Sequence, residues 1–137
     1  MNPSSPVLSL PASAYKRSVG QSAGLSLLLL SIGHFFIDLY SSALGALQPH
    51  LVARLGLSLE QAGIVGGVMI FSSSVMQPVY GYLSDRLHTR AFTTLAPAVA
   101  GLFVSALGLA SSYSVVLLLV AVAGAGIAAF HPQGSAL

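Results

Sequence analysis

Charge and cysteine are the two things that this sequence has little of. Only 6% of its 137 residues are Asp, Glu, Lys or Arg, whereas a soluble domain usually carries about 25% charged residues. A net charge of +2 is too small for a nucleic-acid groove. The absence of cysteine excludes disulfides and thiolate metal sites. Because 55% of the residues are hydrophobic, we expect an all-α integral membrane protein in a lipid bilayer.

Long apolar segments predict four transmembrane helices. A span needs about 20 predominantly apolar residues, and segments 22–48, 59–83, 91–110 and 113–133 meet this requirement. Residues 1–18, rich in Ser, Pro and Ala, predict a disordered cytoplasmic tail, which leaves 19–137 as the transmembrane domain. A cleaved signal peptide is the alternative for the first run, but that run is long and contains His34 and Asp38.

The basic residues predict the orientation. Lys and Arg concentrate in the cytoplasmic loops of membrane proteins. Lys16 and Arg17 precede the first span, and Arg86 and Arg90 follow the second, whereas the first loop holds only Arg54. We therefore expect a multi-pass protein of the bacterial inner membrane, with its N-terminus and the loop from 85 to 90 in the cytoplasm.

An acidic residue lies inside the first predicted span. A carboxylate at bilayer depth is costly and is a functional hypothesis by default. His34 lies one helical turn before Asp38, and a polar row on the same face extends to Gln48. The functional interpretation is a hydrated pathway in which His34 and Asp38 form a proton-binding pair with coupled protonation. The alternative is a structural hydrogen-bonded pair that holds the first helix to a neighbour.

Small residues recur at helical spacing in two other spans, around Gln77 and His131. Such stripes predict faces packed against other helices. They comprise Gly63, Gly67, Ser74 and Gly81 in the second span, and Gly124, Ala128 and Ser135 in the fourth. Gln77 and His131 are candidate pathway residues, with plain helix packing as the alternative. Pro132 predicts a kink or an end of the fourth helix beside His131, where the histidine could equally meet water.

A charged segment joins the second and third spans. It contains Gly81, Asp85, Arg86 and Arg90. Asp85 could pair with either arginine and latch two helical bundles in one state. The alternative is a solvated loop whose charges only set the topology.

Three segments together resemble the major facilitator superfamily and, within it, the fosmidomycin-resistance-like branch. The loop pattern of the superfamily is G-x-L-A-D-R-x-G-R-K. Gly81, Leu83, Asp85 and Arg86 follow this pattern, whereas the segment from 88 to 90 departs from it. The other two segments are GHFFIDLY at 33–40 and FHPQGSAL at 130–137.

The resemblance implies a twelve-helix carrier with two six-helix halves that moves its substrate by alternating access. It implies proton-coupled efflux of a drug or small molecule by antiport. Asp38, His34 and His131 would then line the pathway, and Asp85 and Arg86 would belong to a cytoplasmic gate.

The chain ends after the fourth predicted helix, so we expect a truncated part that is inactive alone. It would need the missing C-terminal helices or another copy as a partner. The alternative is a non-transporting membrane remnant or assembly partner.

Other functional classes find less support. There is no nucleophile elbow or phosphate-binding loop, so we expect neither an enzyme nor a cofactor. A haem carrier with His34 and His131 as axial ligands is disfavoured by depth, because at about 1.5 Å per residue His34 lies roughly 18 Å from the cytoplasmic end of its helix. His131, by contrast, lies close to that end.

Overall fold

The protein is a bundle of four α-helices. The computed structural model describes residues 12–134, with side chains over 23–132. The helices are α1 (Ala12–Leu55), α2 (Leu59–Leu87), α3 (Ala91–Ala106) and α4 (Tyr113–Gly134), and a 3-10 turn at Leu107–Leu109 extends α3. The all-α class predicted from the sequence is confirmed.

Each of the four helices is long and apolar enough to cross a bilayer. The candidate spans are Ala23–Leu55, Leu59–Leu87, Ala91–Leu109 and Tyr113–Pro132, with mean hydropathy of 1.6, 1.4, 1.8 and 2.3 respectively. Each helix also contains one proline. Membrane helices tolerate proline because neighbouring groups can satisfy the carbonyl that it leaves unpaired.

The first helix is longer than the predicted span. It begins at Ala12, inside the segment predicted as a tail, and continues through Pro49 to Leu55. Ala, Lys and Arg are strong helix formers, and they dominate the part of this segment from 12 to 17. The chain divides into two compact units, up to Ser31 and from Ile32 onward, and the second unit contains all the contacts described below.

Two short turns set the ends of α2. Gly56 has a φ of 63°, a left-handed conformation that glycine adopts without steric cost. Ser58 then caps α2. Its hydroxyl accepts a hydrogen bond from the backbone N–H of Gln61 at 3.1 Å, and the side-chain carbonyl of Gln61 accepts one from the backbone N–H of Ser58 at 2.9 Å. At the other end His88 takes a φ of 48°. Because α2 is helical to Leu87, the first half of the predicted loop, 85–87, belongs to its last helical turn.

Helix α4 lies between α2 and α3, and its glycines bring the three backbones together. A Cβ at Gly126 would lie 3.0 Å from the backbone nitrogen of Ala100 in α3. A Cβ at Gly124 would overlap the Ser72 hydroxyl in α2 and lie 3.0 Å from the carbonyl oxygen of Met69. Close packing through small residues is how membrane helices associate, so the prediction of a packed face at Gly124 and Ala128 agrees with their burial.

The predicted packing face of α2 is wrong at Gly63 and Gly67, although Gly81 on the same stripe does lie against Pro132 of α4. Gly63 and Gly67 are exposed, and no atom of another element lies near either. The residues that α2 buries lie on a different face, and they are Ala62, Val65, Met69 and Ser72. Because α4 supplies the glycines at this contact, α2 can present larger side chains to it.

Helix α1 contacts α4 and α3 through aromatic rings placed over glycines. A Cβ at Gly33 would lie 2.9 Å from the Phe130 ring of α4, and a Cβ at Gly101 of α3 would lie 2.7 Å from the Tyr40 ring of α1. Ile37, between these two contacts, is fully buried. These contacts fix which face of α1 points toward the bundle.

Candidate functional site

His34 and Asp38 form an ion-pair contact on α1. Residues four apart lie on the same face of a helix, and His34 Nε2 lies 3.2 Å from Asp38 Oδ2. The side chains are 53% and 61% exposed, so the pair lies open at the surface of this four-helix unit. A carboxylate and an imidazole at this distance can share a proton, and the charge of one group then depends on that of the other.

His131 of α4 meets His34 of α1. The two ring centroids are 5.4 Å apart with an interplanar angle of 78°, and the Phe130 ring lies 5.9 Å from His34 on the same side. Helix α4 continues through Pro132 to Gly134, so the proline does not end the helix beside His131. The contact joins His131 to the predicted proton-binding pair.

The depth argument used against a haem site is therefore wrong, since it placed the two histidines far apart. The error arose because each depth was measured from the predicted end of its own helix, which does not give the separation of residues on two different helices. Within residues 23–132, no group of three or more His, Cys, Asp and Glu side chains is arranged to hold a metal ion.

A groove of about 520 Å³ opens between α2 and α4, with His131 at its edge. We call it the α2–α4 groove, and it is lined by Ser74, Gln77, Pro78, Gly81, His131 and Pro132. The Gln77 side-chain amide donates to the Ser73 carbonyl at 2.9 Å. Gly81 faces Pro132 in this groove, since a Cβ there would lie 3.6 Å from the Pro132 Cβ, an ordinary van der Waals contact. His131 thus belongs both to this groove and to the cluster on α1.

Gln48 lies away from this cluster. Its side-chain amide donates to the Ala62 carbonyl of α2 at 2.5 Å, close to the turn between α1 and α2. The structure therefore brings together His34, Asp38, His131 and Gln77 of the predicted pathway residues, and it places Gln48 in a contact between helices.

The predicted gate residues lie at the α2–α3 turn. The Arg86 guanidinium carbon lies 5.3 Å from the centroid of the Tyr82 ring, a cation–π contact. Among the residues with described side chains, Asp85 makes no ion pair with Arg86 or Arg90. The turn is held instead by hydroxyl bonds, including that from Thr94 to the Arg90 carbonyl at 3.1 Å.

The contacts of Arg54 were not predicted from the sequence, where this residue served only to indicate the orientation of the helices in the membrane. Arg54 Nη2 donates to the carbonyls of Leu107 at 3.1 Å and Ala110 at 2.8 Å, and Nη1 donates to the carbonyl of Gly108. Carbonyls at a helix end lack intrahelical partners. The single arginine at the end of α1 therefore binds the turn that follows α3. Its isolation in the sequence was the only signal that could have indicated this.

Four apolar helices, the first of which contains a carboxylate–imidazole pair, define a polytopic membrane protein. The family model of the Major Facilitator Superfamily matches residues 30–137. The chain therefore belongs to this superfamily, whose members are transporters rather than enzymes.

Individual relatives agree with this membership. The chain is 31% identical over 109 residues to YfnC, an uncharacterised MFS-type transporter of Bacillus subtilis. The aligned region covers 80% of this chain and 27% of the relative. It is 31% identical over 106 residues to the fosmidomycin resistance protein of Escherichia coli, covering 77% and 26% respectively. It is also 31% identical over 81 residues to a probable hexose phosphate transport protein of Chlamydia pneumoniae, covering 59% and 18%.

These relatives are longer proteins. The chain spans about a quarter of the length of the first two. No solved structure matches it significantly. The similarity therefore shows a transporter family and leaves the particular cargo to proposal.

Proposed function

We propose that this chain forms part of a proton-coupled carrier that exports a drug or another small molecule from a bacterial cell by antiport across the inner membrane. The observation that carries the proposal is the contact of Asp38 with His34, and of His34 with His131, within apolar helices. An ionisable group at bilayer depth marks an ion or substrate pathway by default. The similarity to a fosmidomycin resistance protein supports export as the direction.

Asp38 and His34 would hold the coupled proton. Both are more than half exposed in the four-helix unit, as expected for side chains that border a water-filled passage. A change in the number of protons on the pair changes its net charge and with it the hydration of the passage. Access to this pair from alternate sides of the membrane would then couple proton movement to transport.

The α2–α3 turn would form the cytoplasmic gate, with the N-terminus on the same side. Gly81, Asp85, Arg86 and Arg90 lie at this end of the bundle, and Asp85 has neither arginine within ion-pair distance in the described part of the chain. Its partner would come from other helices of the carrier. Breaking and remaking such pairs is a common way to switch between conformations.

Proton flux in proteoliposomes tests the proposal. The chain would be reconstituted with a trapped pH-sensitive dye, and a potential would be imposed across the membrane. Any proton flux through the wild-type chain should fall at least about tenfold in Asp38→Asn, because the amide cannot ionise. Glu60→Gln is the matched control, since Glu60 is an exposed carboxylate in the first turn of α2, and its flux should equal that of wild type.

Two other outcomes are informative. Equal flux in wild type and Asp38→Asn would refute the assignment of Asp38. Absence of flux in every variant would favour a non-transporting remnant or assembly partner. Infrared titration would then decide whether Asp38 binds a proton, by the presence of a carboxyl band that Asp38→Asn lacks.

A further inference from the structure

We propose that the α2–α4 groove is a binding subsite for a small oxyanion and that His131 couples its occupancy to the proton-binding pair on α1. The inference rests on the proposed transport function and deepens it, because it names a ligand class and a second proton-binding group. It follows from the position of His131, which lines the groove and contacts His34.

The composition of the groove favours an anion over a cation. Among the residues with described side chains, its polar lining consists of the Ser74 hydroxyl, the Gln77 amide and the His131 imidazole, with no carboxylate. Hydroxyl, amide and imidazolium groups all donate hydrogen bonds, and an imidazolium adds a positive charge. Gln77 retains a second N–H beyond the one that it gives to Ser73. A cation would find no countercharge in this lining.

The charges that face His131 come from α1. His34 and Asp38 both interact with it electrostatically, whereas the groove residues of α2, Ser74 and Gln77, are neutral. With one proton on His34, the pair with Asp38 has no net charge. A second proton on His131 then gives the three groups a net positive charge, which a bound anion neutralises. Binding of an oxyanion is therefore linked to protonation of His131.

The size of the groove is compatible with this ligand class. Small-molecule sites typically measure about 300–1,000 Å³, and the groove measures about 520 Å³. Pro78 and Pro132 provide an apolar wall beside the polar groups. An oxyanion carried on a small organic group would place its charge against His131 and its apolar part against the prolines.

Histidine NMR on the full chain in detergent micelles tests the inference. The four histidines would be ¹⁵N-labelled and assigned by single substitutions, and sulfate would replace chloride at constant ionic strength. Sulfate is a suitable probe because it keeps its charge at both pH values used. Since histidine changes charge between about pH 5 and pH 8, we expect sulfate to shift the His131 signals at about pH 5.5 and to have no effect at about pH 8.5. His50 and His88 serve as internal controls.

Two variants sharpen the result. Sulfate should also shift the His34 signals through His131, and His131→Asn should abolish this shift. Unchanged His50 and His88 chemical shifts show that the variant is folded. Gln77→Leu should weaken the apparent sulfate affinity by about tenfold, the effect of one lost hydrogen bond to a charged group. Equal shifts of all four histidines would indicate an adventitious ion only and would overturn the proposal. The proposal would also be overturned if tetramethylammonium shifted the His131 signals as sulfate does, or if sulfate left those signals unchanged.

The outcomes separate this inference from the proposed function. A sulfate response with equal proton flux in wild type and Asp38→Asn would support the subsite and refute the proton assignment of Asp38. Proton flux that depends on Asp38, together with no response of His131, would refute the subsite alone.

Discussion

The two ends of the bundle solve the problem of polar groups in apolar helices in different ways. At the end that holds the α1–α2 turn, Arg54 and Gln48 donate to backbone carbonyls of other elements. Toward the opposite end, His34 and Asp38 bond to each other and remain more than half exposed. Polar side chains at the first end hold helices together, whereas those toward the second make no comparable contact through the pair itself and stay exposed. This difference is the basis for proposing a structural role at one end and a functional role toward the other.

The contact between α2 and α4 connects the two ends, and its disruption should have the largest effect on stability. In Gly124→Val, the new side chain would overlap Ser72 and press on the Met69 carbonyl. We expect a loss of about 3 kcal/mol in the free energy of unfolding, because overpacking a tight contact forces backbones apart. Unfolding in a detergent series, followed by circular dichroism, measures this loss. Gly63→Val is the control, since Gly63 has open space around it; an equal loss there would contradict the argument.

Arg54→Gln tests the structural end of the bundle. The shorter amide cannot reach all three carbonyls that Arg54 now binds. We expect unfolding to become easier by about 2 kcal/mol, because buried carbonyls lose charge-assisted hydrogen bonds. The same unfolding assay applies. Arg90→Gln makes the same change at the α2–α3 turn and should alter stability by less than about 0.5 kcal/mol. A reversed order would show that the ends had been assigned the wrong roles.

The two glutamines allow a finer comparison. Gln48 donates across helices to Ala62, whereas Gln77 donates within its own helix to Ser73. We expect Gln48→Leu to cost about 1 kcal/mol, since the Ala62 carbonyl loses a partner from another helix. Gln77→Leu should cost less than about 0.5 kcal/mol. Comparable losses of unfolding free energy in the two variants, measured by detergent unfolding, would mean that Gln77 also stabilises the fold.

Asp38→Asn should have the smallest effect on stability and a large effect on proton flux. Because the side chain is 61% exposed and its partner is on the same helix, we expect a change in unfolding free energy within about 0.5 kcal/mol. Detergent unfolding and the proton flux assay on the same preparation measure both quantities. A large loss of stability would favour the structural interpretation of the His34–Asp38 pair over the functional one.

Much of the fold could be predicted because apolar run length is a strong signal. The four spans follow from runs that only lipid or a large protein core could surround. The face of each helix was less predictable. Gly63 and Gly67 have the spacing of a packing stripe, but α2 buries Val65 and Met69 instead. The spacing of small residues in α2 shows only that another helix could pack closely there. Which face of α2 is buried depends on where the glycines of α4 contact it.

The candidate site divides in the same way. His34 and Asp38 are four residues apart on one helix, so their contact follows from the helical repeat. The approach of His131 to His34 depends on how α1 crosses α4, which no spacing within either helix specifies. Depths measured from the ends of two separate helices therefore gave a wrong estimate of the separation between these two histidines.

The sequence by itself determined that this chain is a set of apolar helices of the Major Facilitator Superfamily with a carboxylate inside the first one. The helices and the carboxylate in the first one are local properties of composition, run length and helical period, whereas the family follows from the resemblance of three motifs. Only the tertiary structure decided that His131 joins the His34–Asp38 pair to the α2–α4 groove, and that Arg54 binds the end of α3. Both depend on the crossing of helices, which is set by backbone approach at glycines distant in the chain.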